Sequence, residues 1–122
     1  MGRGEKILVI DDNPQQQDIA LQLLTSLNYK VTVVSSGEEA VGYLRTRFVH
    51  LLLLDMLMPP GMNGLQTYKQ ILVIHPKQKA VIASGFSESE DVRETLELGA
   101  ASFIKKPYVM EELGQVVYTA LQ

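Results

Sequence analysis

Five short apolar runs recur along the chain, and a segment with helical periodicity follows each of them. The runs are rich in Val, Ile and Leu and show little polar alternation, which is typical of strands that are covered on both faces. Repeated alternation of strand and helix predicts an α/β fold, in which one parallel sheet lies between helices joined by right-handed crossovers. The predicted strands are residues 6–10, 31–34, 51–55, 80–84 and 102–105.

Capping residues mark the starts of the predicted helices. An Asn cap followed by proline opens the first helix at Asn13-Pro14, and Ser36 with Glu39 forms a capping box at the second. Another capping box, Ser87 with Glu90, opens the fourth helix. The remaining bounds are about 64–75 for the third helix, Gly99 as the end of the fourth, and roughly 109–121 for the fifth.

Size and composition restrict the functional class. The 122 residues, 46% of them hydrophobic, can bury one core, so we expect a single domain over residues 1–122. The net charge of −3 argues against a nucleic-acid or anionic-membrane binder, since either would carry a basic face. The absence of cysteine excludes disulfides and zinc–thiolate sites. No apolar stretch has the length of a membrane span, and no signal peptide is recognisable, so we expect a cytoplasmic protein.

Polar residues stand at or just after the ends of four apolar runs. Asp11 and Asp12 follow the first run, Asp55 ends the third, Ser84 ends the fourth, and Lys106 follows the fifth. Open α/β sheets bind ligands beyond the carboxyl ends of their strands, so we expect these side chains to share one pocket. Three carboxylates, a hydroxyl and an ammonium suit a hard divalent cation and a transferable phosphoryl group. Asp55 is the candidate nucleophile, because a carboxylate can accept a phosphoryl group.

Simpler interpretations exist for each of these residues. The Asp11-Asp12 pair could simply be the cap of the first helix, and Ser84 could be an ordinary residue at a strand end. A third aspartate on a buried strand is harder to explain by capping, because clustered carboxylates repel one another and a bound cation removes that cost. Alternation along the fifth strand sends only one of two adjacent lysines into the pocket. Lys106 is our choice, and Lys105 is the competing one.

Four segments, in order and with normal spacing, resemble the receiver domain of two-component response regulators. They are Val9-Ile10-Asp11-Asp12, Leu54-Asp55-Met56-Leu57-Met58-Pro59, Ala83-Ser84-Gly85 and Phe103-Ile104-Lys105-Lys106-Pro107. The resemblance spans essentially the whole chain. It implies a flavodoxin-like fold, a three-layer (βα)5 sandwich with strand order 2-1-3-4-5. It also implies a phosphoacceptor domain of a phosphorelay rather than an enzyme in its own right.

The resemblance assigns roles to the pocket residues by position. Asp55 takes a phosphoryl group from a histidine kinase or a histidine phosphotransfer domain, and Lys106 binds the phosphoryl oxygens. Mg²⁺ or Mn²⁺ would be bound directly by Asp12, Asp55 and the backbone carbonyl of Leu57. Asp11 would act through water bound to that ion.

A switch formed by Ser84 and Phe103 is also implied by the resemblance. Ser84 would move toward the phosphoryl group, and Phe103 would rotate into the space that it leaves. This rotation changes the surface formed by the fourth helix, fifth strand and fifth helix, where a partner would bind. The resemblance further implies a monomer or a weak dimer through that surface, with no nucleic acid or membrane bound by the domain.

Three features depart from the usual family pattern. The loop 58–64 is about one residue longer, Asn63 stands where Asp is more usual, and Leu57 replaces a commoner polar residue. These changes affect phosphoryl lifetime and partner choice, and they remove no group that the chemistry needs. The Pro-Pro-Gly form of the loop, 59–61, resembles receivers attached to hybrid sensor histidine kinases.

Three other functions fit parts of the pattern. An aspartate-nucleophile phosphatase would need an acid two residues beyond Asp55, where this chain has Leu57. A flavodoxin-like FMN carrier would offer hydroxyls and amides after the first strand, where this chain has Asp11-Asp12-Asn13-Pro14. A receiver-like module serving only in protein interaction would not need the acidic set together with Lys106.

Overall fold

The computed structural model describes residues 2–56, Met58, 61–85 and 90–122. Within these residues, five parallel strands form one sheet of order β2-β1-β3-β4-β5, flanked by five helices. The strands are β1 (Lys6–Ile10), β2 (Lys30–Val34), β3 (Leu51–Asp55), β4 (Ala80–Ser84) and β5 (Ser102–Lys105). The helices are α1 (Pro14–Ser26), α2 (Gly37–Leu44), α3 (Gly64–Ile74), α4 (Glu90–Glu97) and α5 (Met110–Leu121). The predicted flavodoxin-like α/β fold is confirmed. None of these helices is long and apolar enough to cross a membrane.

The sheet separates two apolar clusters. Leu52, Leu54 and Ile82 belong to the cluster beneath α2, α3 and α4, whereas Val9 and Leu53 belong to the cluster beneath α1 and α5. Both β3 and β4 are buried along their full length. The continuous apolar runs of the sequence follow from this burial on two sides, because alternate residues of one strand serve opposite clusters.

The edge strand β2 begins one residue earlier than predicted. Lys30 pairs with Lys6 in the sheet register, and its backbone N–H donates to the Glu5 carbonyl at 2.9 Å. Most of β2 is exposed or half-exposed, as expected for an edge strand. A lysine is tolerated at its start because the side chain can extend into solvent.

Side-chain caps fix the starts of α1 and α2. Asn13 caps α1, and Pro14 occupies its first turn, as predicted. At α2, Ser36 Oγ accepts from Glu39 N at 3.1 Å. The Glu39 carboxylate, however, accepts from Ser35 N rather than from Ser36 N. The reciprocal half of the predicted capping box is therefore displaced by one residue.

The other helix ends differ in how they are capped. Asn63 and Gln66 form a capping box at α3, which the sequence pattern did not lead us to expect. The predicted cap residue of α4, Ser87, lies outside the described residues. Gly99 follows the end of α4 with a φ of +118°, a conformation that favours glycine. Val109 precedes α5 without a side-chain cap.

Candidate functional site

An acidic site lies at the carboxyl edge of the sheet. Asp55 is the last residue of β3, and Asp11 and Lys106 lie one residue beyond β1 and β5. The Asp11 N–H donates to Val34 O at 3.2 Å, and the Lys106 N–H donates to Ser84 O at 2.8 Å. These hydrogen bonds continue the sheet pairing by one residue, so the backbone at the site is as firmly held as the strands.

Strand alternation directs three side chains to the same face of the sheet. Asp11, Asp55 and Lys106 each follow, by two residues, a member of the cluster beneath α1 and α5. Those members are Val9, Leu53 and Ile104. Lys105 has the opposite parity and is exposed. Of the two candidate lysines, Lys106 is therefore the one that lies among the carboxylates.

Lys106 bridges two buried carboxylates. Its Nζ lies 2.7 Å from Asp11 Oδ2 and 3.3 Å from Asp55 Oδ1. The side chains of Lys106, Asp11 and Asp55 are 13%, 2% and 9% exposed. These ion pairs form away from bulk water, where charges interact more strongly than at the surface.

Asp11 uses both of its carboxylate oxygens. Oδ2 contacts Lys106, and Oδ1 accepts a hydrogen bond from Asn13 N at 3.0 Å. Gln17 Nε2 donates to the Asp11 backbone carbonyl at 2.6 Å. The Asp11 side chain is thus fixed in the turn before α1. Asn13, and not Asp11 or Asp12, caps α1. The need for a helix cap therefore does not explain why two aspartates stand at this position.

Asp12 completes a cluster of three carboxylates. One oxygen from each of Asp11, Asp12 and Asp55 lies within 4.8 Å of the others. Asp12 is exposed, whereas the other two are buried. Three negative charges against the one positive charge of Lys106 leave a net charge of −2. Such a group of oxygen ligands can hold a hard divalent cation.

A cleft of about 420 Å³ opens over these residues. Ser84, which is buried, lines it together with Asp55 and Lys106. Gln16 also lines the cleft and was not among the predicted site residues. It lies three residues after Asn13, a helical spacing that places it over the same end of α1.

A family profile covers almost the whole chain. The profile of the response regulator receiver domain matches residues 7–118. The chain belongs to the response regulator receiver family. The resemblance seen in the four sequence segments is therefore confirmed.

Curated relatives of this receiver differ widely in length. The transcriptional regulatory protein ZraR of Salmonella typhimurium is 33% identical over 122 residues, which are 99% of this chain and 27% of ZraR. The chemotaxis protein CheY of Thermotoga maritima is 30% identical over 118 residues, which are 93% of this chain and 98% of CheY. The chain thus spans about a quarter of ZraR and almost all of that CheY.

A solved receiver domain has the same fold. The receiver of the sensor histidine kinase PA1611 from Pseudomonas aeruginosa matches with a TM-score of 0.86 and 24% identity. The match covers 97% of this chain and 98% of that receiver, which holds a magnesium ion in its active-site cleft.

Gly64 of this receiver packs against the backbone that follows Asp55. A Cβ at Gly64 would lie 2.7 Å from Asp55 O and 2.8 Å from Met56 Cα. The Gly64 N–H donates to Met56 O at 3.0 Å. The start of α3 therefore supports the end of β3. Sequence reasoning assigned Gly64 only to a helix start, although its place soon after Asp55 links it to the site.

Tyr108 is a further residue near the site that sequence reasoning missed. Burial, and then the negative charges of Asp11 and Asp55, raise the pKa of Tyr108. The phenol therefore lies close enough to the two carboxylates for their charge to disfavour its ionisation. Its position two residues beyond Lys106 is the sequence signal that could have revealed it.

The two predicted switch residues lie on one face of the sheet. Phe103 pairs with Ile82, which precedes Ser84 by two residues. Ser84 and Phe103 are therefore diagonal neighbours on adjacent strands. Phe103 is partly buried and packs against the cluster beneath α2, α3 and α4.

Asn63 stands where the family pattern more often has aspartate. Its Oδ1 accepts from Gln66 N at 2.9 Å, and its Nδ2 donates to Asp91 Oδ2 at 3.4 Å. An aspartate could not donate this second hydrogen bond and would repel Asp91. The predicted ligand Leu57 and residues 59–60 of the same loop lie outside the described residues.

Proposed function

We propose that Asp55 accepts a phosphoryl group from the phosphohistidine of a histidine kinase or a histidine phosphotransfer domain, with Mg²⁺ bound beside it. The observation that carries this proposal is the position of Lys106 Nζ between Asp11 and Asp55. A purely structural ion pair would not need Asp12, whose charge opposes the other two carboxylates. The three carboxylates and the lysine together are explained if the cleft binds a cation and a phosphoryl group.

The donor set fits a small, hard cation. Asp12 and Asp55 supply carboxylate oxygens, the ligands that Mg²⁺ prefers. Asp11 is already engaged by Lys106 and Asn13 N, so it would contact the ion through water. The family pattern adds the Leu57 carbonyl as a third direct ligand. Mn²⁺ also favours oxygen ligands and is the second candidate. The magnesium ion in the PA1611 receiver supports the choice of Mg²⁺.

The transfer is a displacement at phosphorus. A carboxylate oxygen of Asp55 attacks, the new P–O bond forms, the bond to the donor's imidazole nitrogen breaks, and that nitrogen keeps the electron pair. The bound metal would supply charge neutralisation on the phosphoryl oxygens. Lys106 keeps its contact with Asp11 and exchanges its contact with Asp55 for a phosphoryl oxygen, because the acyl phosphate no longer carries the carboxylate charge.

The switch is the second part of the proposal. Ser84 lines the cleft, and in this proposal its hydroxyl donates to a phosphoryl oxygen. Movement of Ser84 would give Phe103 room to rotate inward, since both lie on the same face of adjacent strands. Phosphorylation would thereby shift the population of two packing states of the α4–β5–α5 surface. A partner, or a second copy in a weak dimer, would bind that surface.

Intact mass spectrometry after treatment with acetyl phosphate and Mg²⁺ tests the phosphoacceptor. We expect the wild type to gain one alkali-labile phosphoryl group and Asp55→Asn to gain none. The matched control is Asp18→Asn, an exposed aspartate on α1, which should behave like the wild type. A phosphorylated Asp55→Asn protein would assign the acceptor to another residue.

Side-chain NMR with and without beryllofluoride tests the switch separately. We expect the Phe103 ring resonances and those of the α4–β5–α5 surface to shift when this phosphoryl mimic binds. Unchanged Phe103 resonances would refute the proposed switch without affecting the proposal that Asp55 accepts the phosphoryl group.

A further inference from the structure

A cleft larger than the acidic one lies at the opposite end of the sheet. This amino-end cleft is formed by the segment between α2 and β3, the turn between α3 and β4, and the end of α5. Its volume is about 500 Å³, which is within the range of small-molecule sites. No residue proposed for phosphoryl transfer belongs to its described lining.

One wall of the amino-end cleft is apolar. Ile74 and Leu121 line it, Val49 is buried at its base, and Phe48 is 57% exposed at its rim. The Phe48 ring meets the His50 ring edge-on, with 5.0 Å between the centroids. An exposed phenylalanine beside an apolar wall leaves hydrophobic surface in water, and a bound apolar group would cover it.

The polar side of the cleft is basic. Lys77, Lys79 and His50 are exposed along it, and His75 is half-buried. The described lining includes no carboxylate side chain. A neighbouring cleft, which shares Phe48, adds the cations of Lys6, Lys30 and Arg47. The cations that line these two clefts contrast with the net charge of −3 of the whole chain.

Hydrogen bonds hold the walls of the cleft in place. His75 Nε2 donates to the Leu44 carbonyl at 2.8 Å, which ties the end of α3 to the end of α2. Gln78 Nε2 donates to Val49 O at 3.3 Å and to Lys79 O at 3.1 Å. The backbone segments that form the cleft are therefore held in place before a ligand binds.

We propose that the amino-end cleft binds a small amphiphilic carboxylate, with its apolar body against Phe48, Ile74 and Leu121 and its carboxylate beside Lys77 and Lys79. One apolar wall and one basic edge complement a ligand that has one apolar body and one negative charge. A polyphosphate would use only the basic edge. The helix N-termini, which favour phosphate groups, lie at the other end of this parallel sheet.

Two matched probes test this site by ¹H–¹⁵N NMR titration of the wild type. They are 4-phenylbutyrate and the neutral 4-phenylbutyramide. We expect saturable shifts confined to residues 48–50, 74–79 and 121. The amide should bind about two- to fivefold more weakly, the range set by an exposed ion pair. Equal Kd values for the two probes, or shifts spread over the surface, would overturn the proposal.

Amino-acid substitutions test the basic edge and the apolar wall of the cleft separately. Replacing both lysines, Lys77→Gln with Lys79→Gln, should reduce the affinity for the carboxylate to that for the amide. Phe48→Ala should weaken both probes, and the control Lys105→Gln at the other end should change neither. The same NMR titration can be run with anionic vesicles and with DNA. If the resonances of this end shift with either of these and not with phenylbutyrate, the basic edge binds a different partner and the small-molecule site is refuted.

Discussion

The two ends of the sheet carry clefts of similar size and opposite chemistry. At the carboxyl end, the cleft of about 420 Å³ is built on charges that are buried and paired, with Lys106 Nζ 2.7 Å from Asp11. At the amino end, the cleft of about 500 Å³ has exposed lysines beside an apolar wall. The difference shows that volume does not identify the reactive site. Buried charges held in contact distinguish the carboxyl end, because burying charge costs free energy and such groups cluster at functional sites.

Helix direction accounts for part of this contrast. The helices of a parallel α/β sheet start near the carboxyl ends of the strands, and acidic residues in their first turns stabilise them. Such pairs are Glu38 and Glu39 in α2, Glu90 and Asp91 in α4, and Glu111 and Glu112 in α5. Helix stability therefore explains much of the acidity of this end. It does not explain Asp11 or Asp55, which are buried and lie outside the helices.

The largest expected effect is at Lys106. We expect Lys106→Met to slow phosphorylation by acetyl phosphate about 10²- to 10³-fold, as the loss of one transition-state charge contact commonly does. Lys105→Met at the same end and Lys79→Met at the amino end should stay near the wild-type rate. Intact mass against time measures the rates. A Lys105→Met protein slower than Lys106→Met would show that the wrong lysine was chosen.

Removal of Asp12 tests whether the three carboxylates act as a set. We expect Asp12→Ala to lose Mg²⁺ binding in isothermal titration, because a direct ligand is gone. Its unfolding midpoint without metal should rise, since the remaining carboxylates repel less. Asp18→Ala, on the exposed face of α1, should alter neither quantity. Unchanged Mg²⁺ affinity in Asp12→Ala would place the ion elsewhere.

Gly64 tests how firmly the carboxyl end is packed. A Cβ there would meet Asp55 O and Met56 Cα at less than 3 Å, and both are backbone atoms. We expect Gly64→Ala to reduce the free energy of unfolding by about 1–3 kcal/mol, as overpacking does. Gly42 in α2 has open space around it, so Gly42→Ala should raise stability by up to about 1 kcal/mol. Urea denaturation distinguishes the two, and a Gly64→Ala protein of wild-type stability would mean that the strand end can shift.

Sequence reasoning predicted the strands and the polar groups at their carboxyl ends well. The reason is physical: two-sided burial produces unbroken apolar runs such as Leu51–Leu54, and the side-chain alternation of a strand separates Lys105 from Lys106. The family resemblance added the strand order, because spacing alone does not order parallel strands.

Other features depend on contacts between distant segments, which local patterns do not record. The Glu39 carboxylate turned to Ser35 N, one residue away from the expected partner. Asn63 faces Asp91 across 28 residues of sequence. The amino-end cleft joins Phe48, Lys79 and Leu121 from three parts of the chain. None of these pairings repeats with a helical or strand period, so no periodicity could have indicated them.

The smallest expected effect compares one tyrosine from each end, Tyr108 and Tyr29. Burial raises the pKa of both, with added contributions from Asp11 and Asp55 for Tyr108 and from Glu5 for Tyr29. A phenol whose pKa rises on folding adds stability below its unfolded pKa of about 10, and loses that contribution as pH rises toward the folded value. The wild type should therefore lose stability above about pH 10.

Tyr108→Phe removes the larger of these two contributions. We expect its unfolding midpoint in urea to fall less than that of the wild type between about pH 9 and pH 11. Tyr29→Phe should flatten the same profile by a smaller amount, because the acid beside it, Glu5, is more exposed than Asp11 and Asp55. Equal flattening in the two variants would show that the carboxylates at the carboxyl end add nothing to the environment of Tyr108. A Tyr108→Phe profile identical to that of the wild type would show that folding does not raise the pKa of this phenol, and the two ends would then not differ in their effect on a nearby tyrosine.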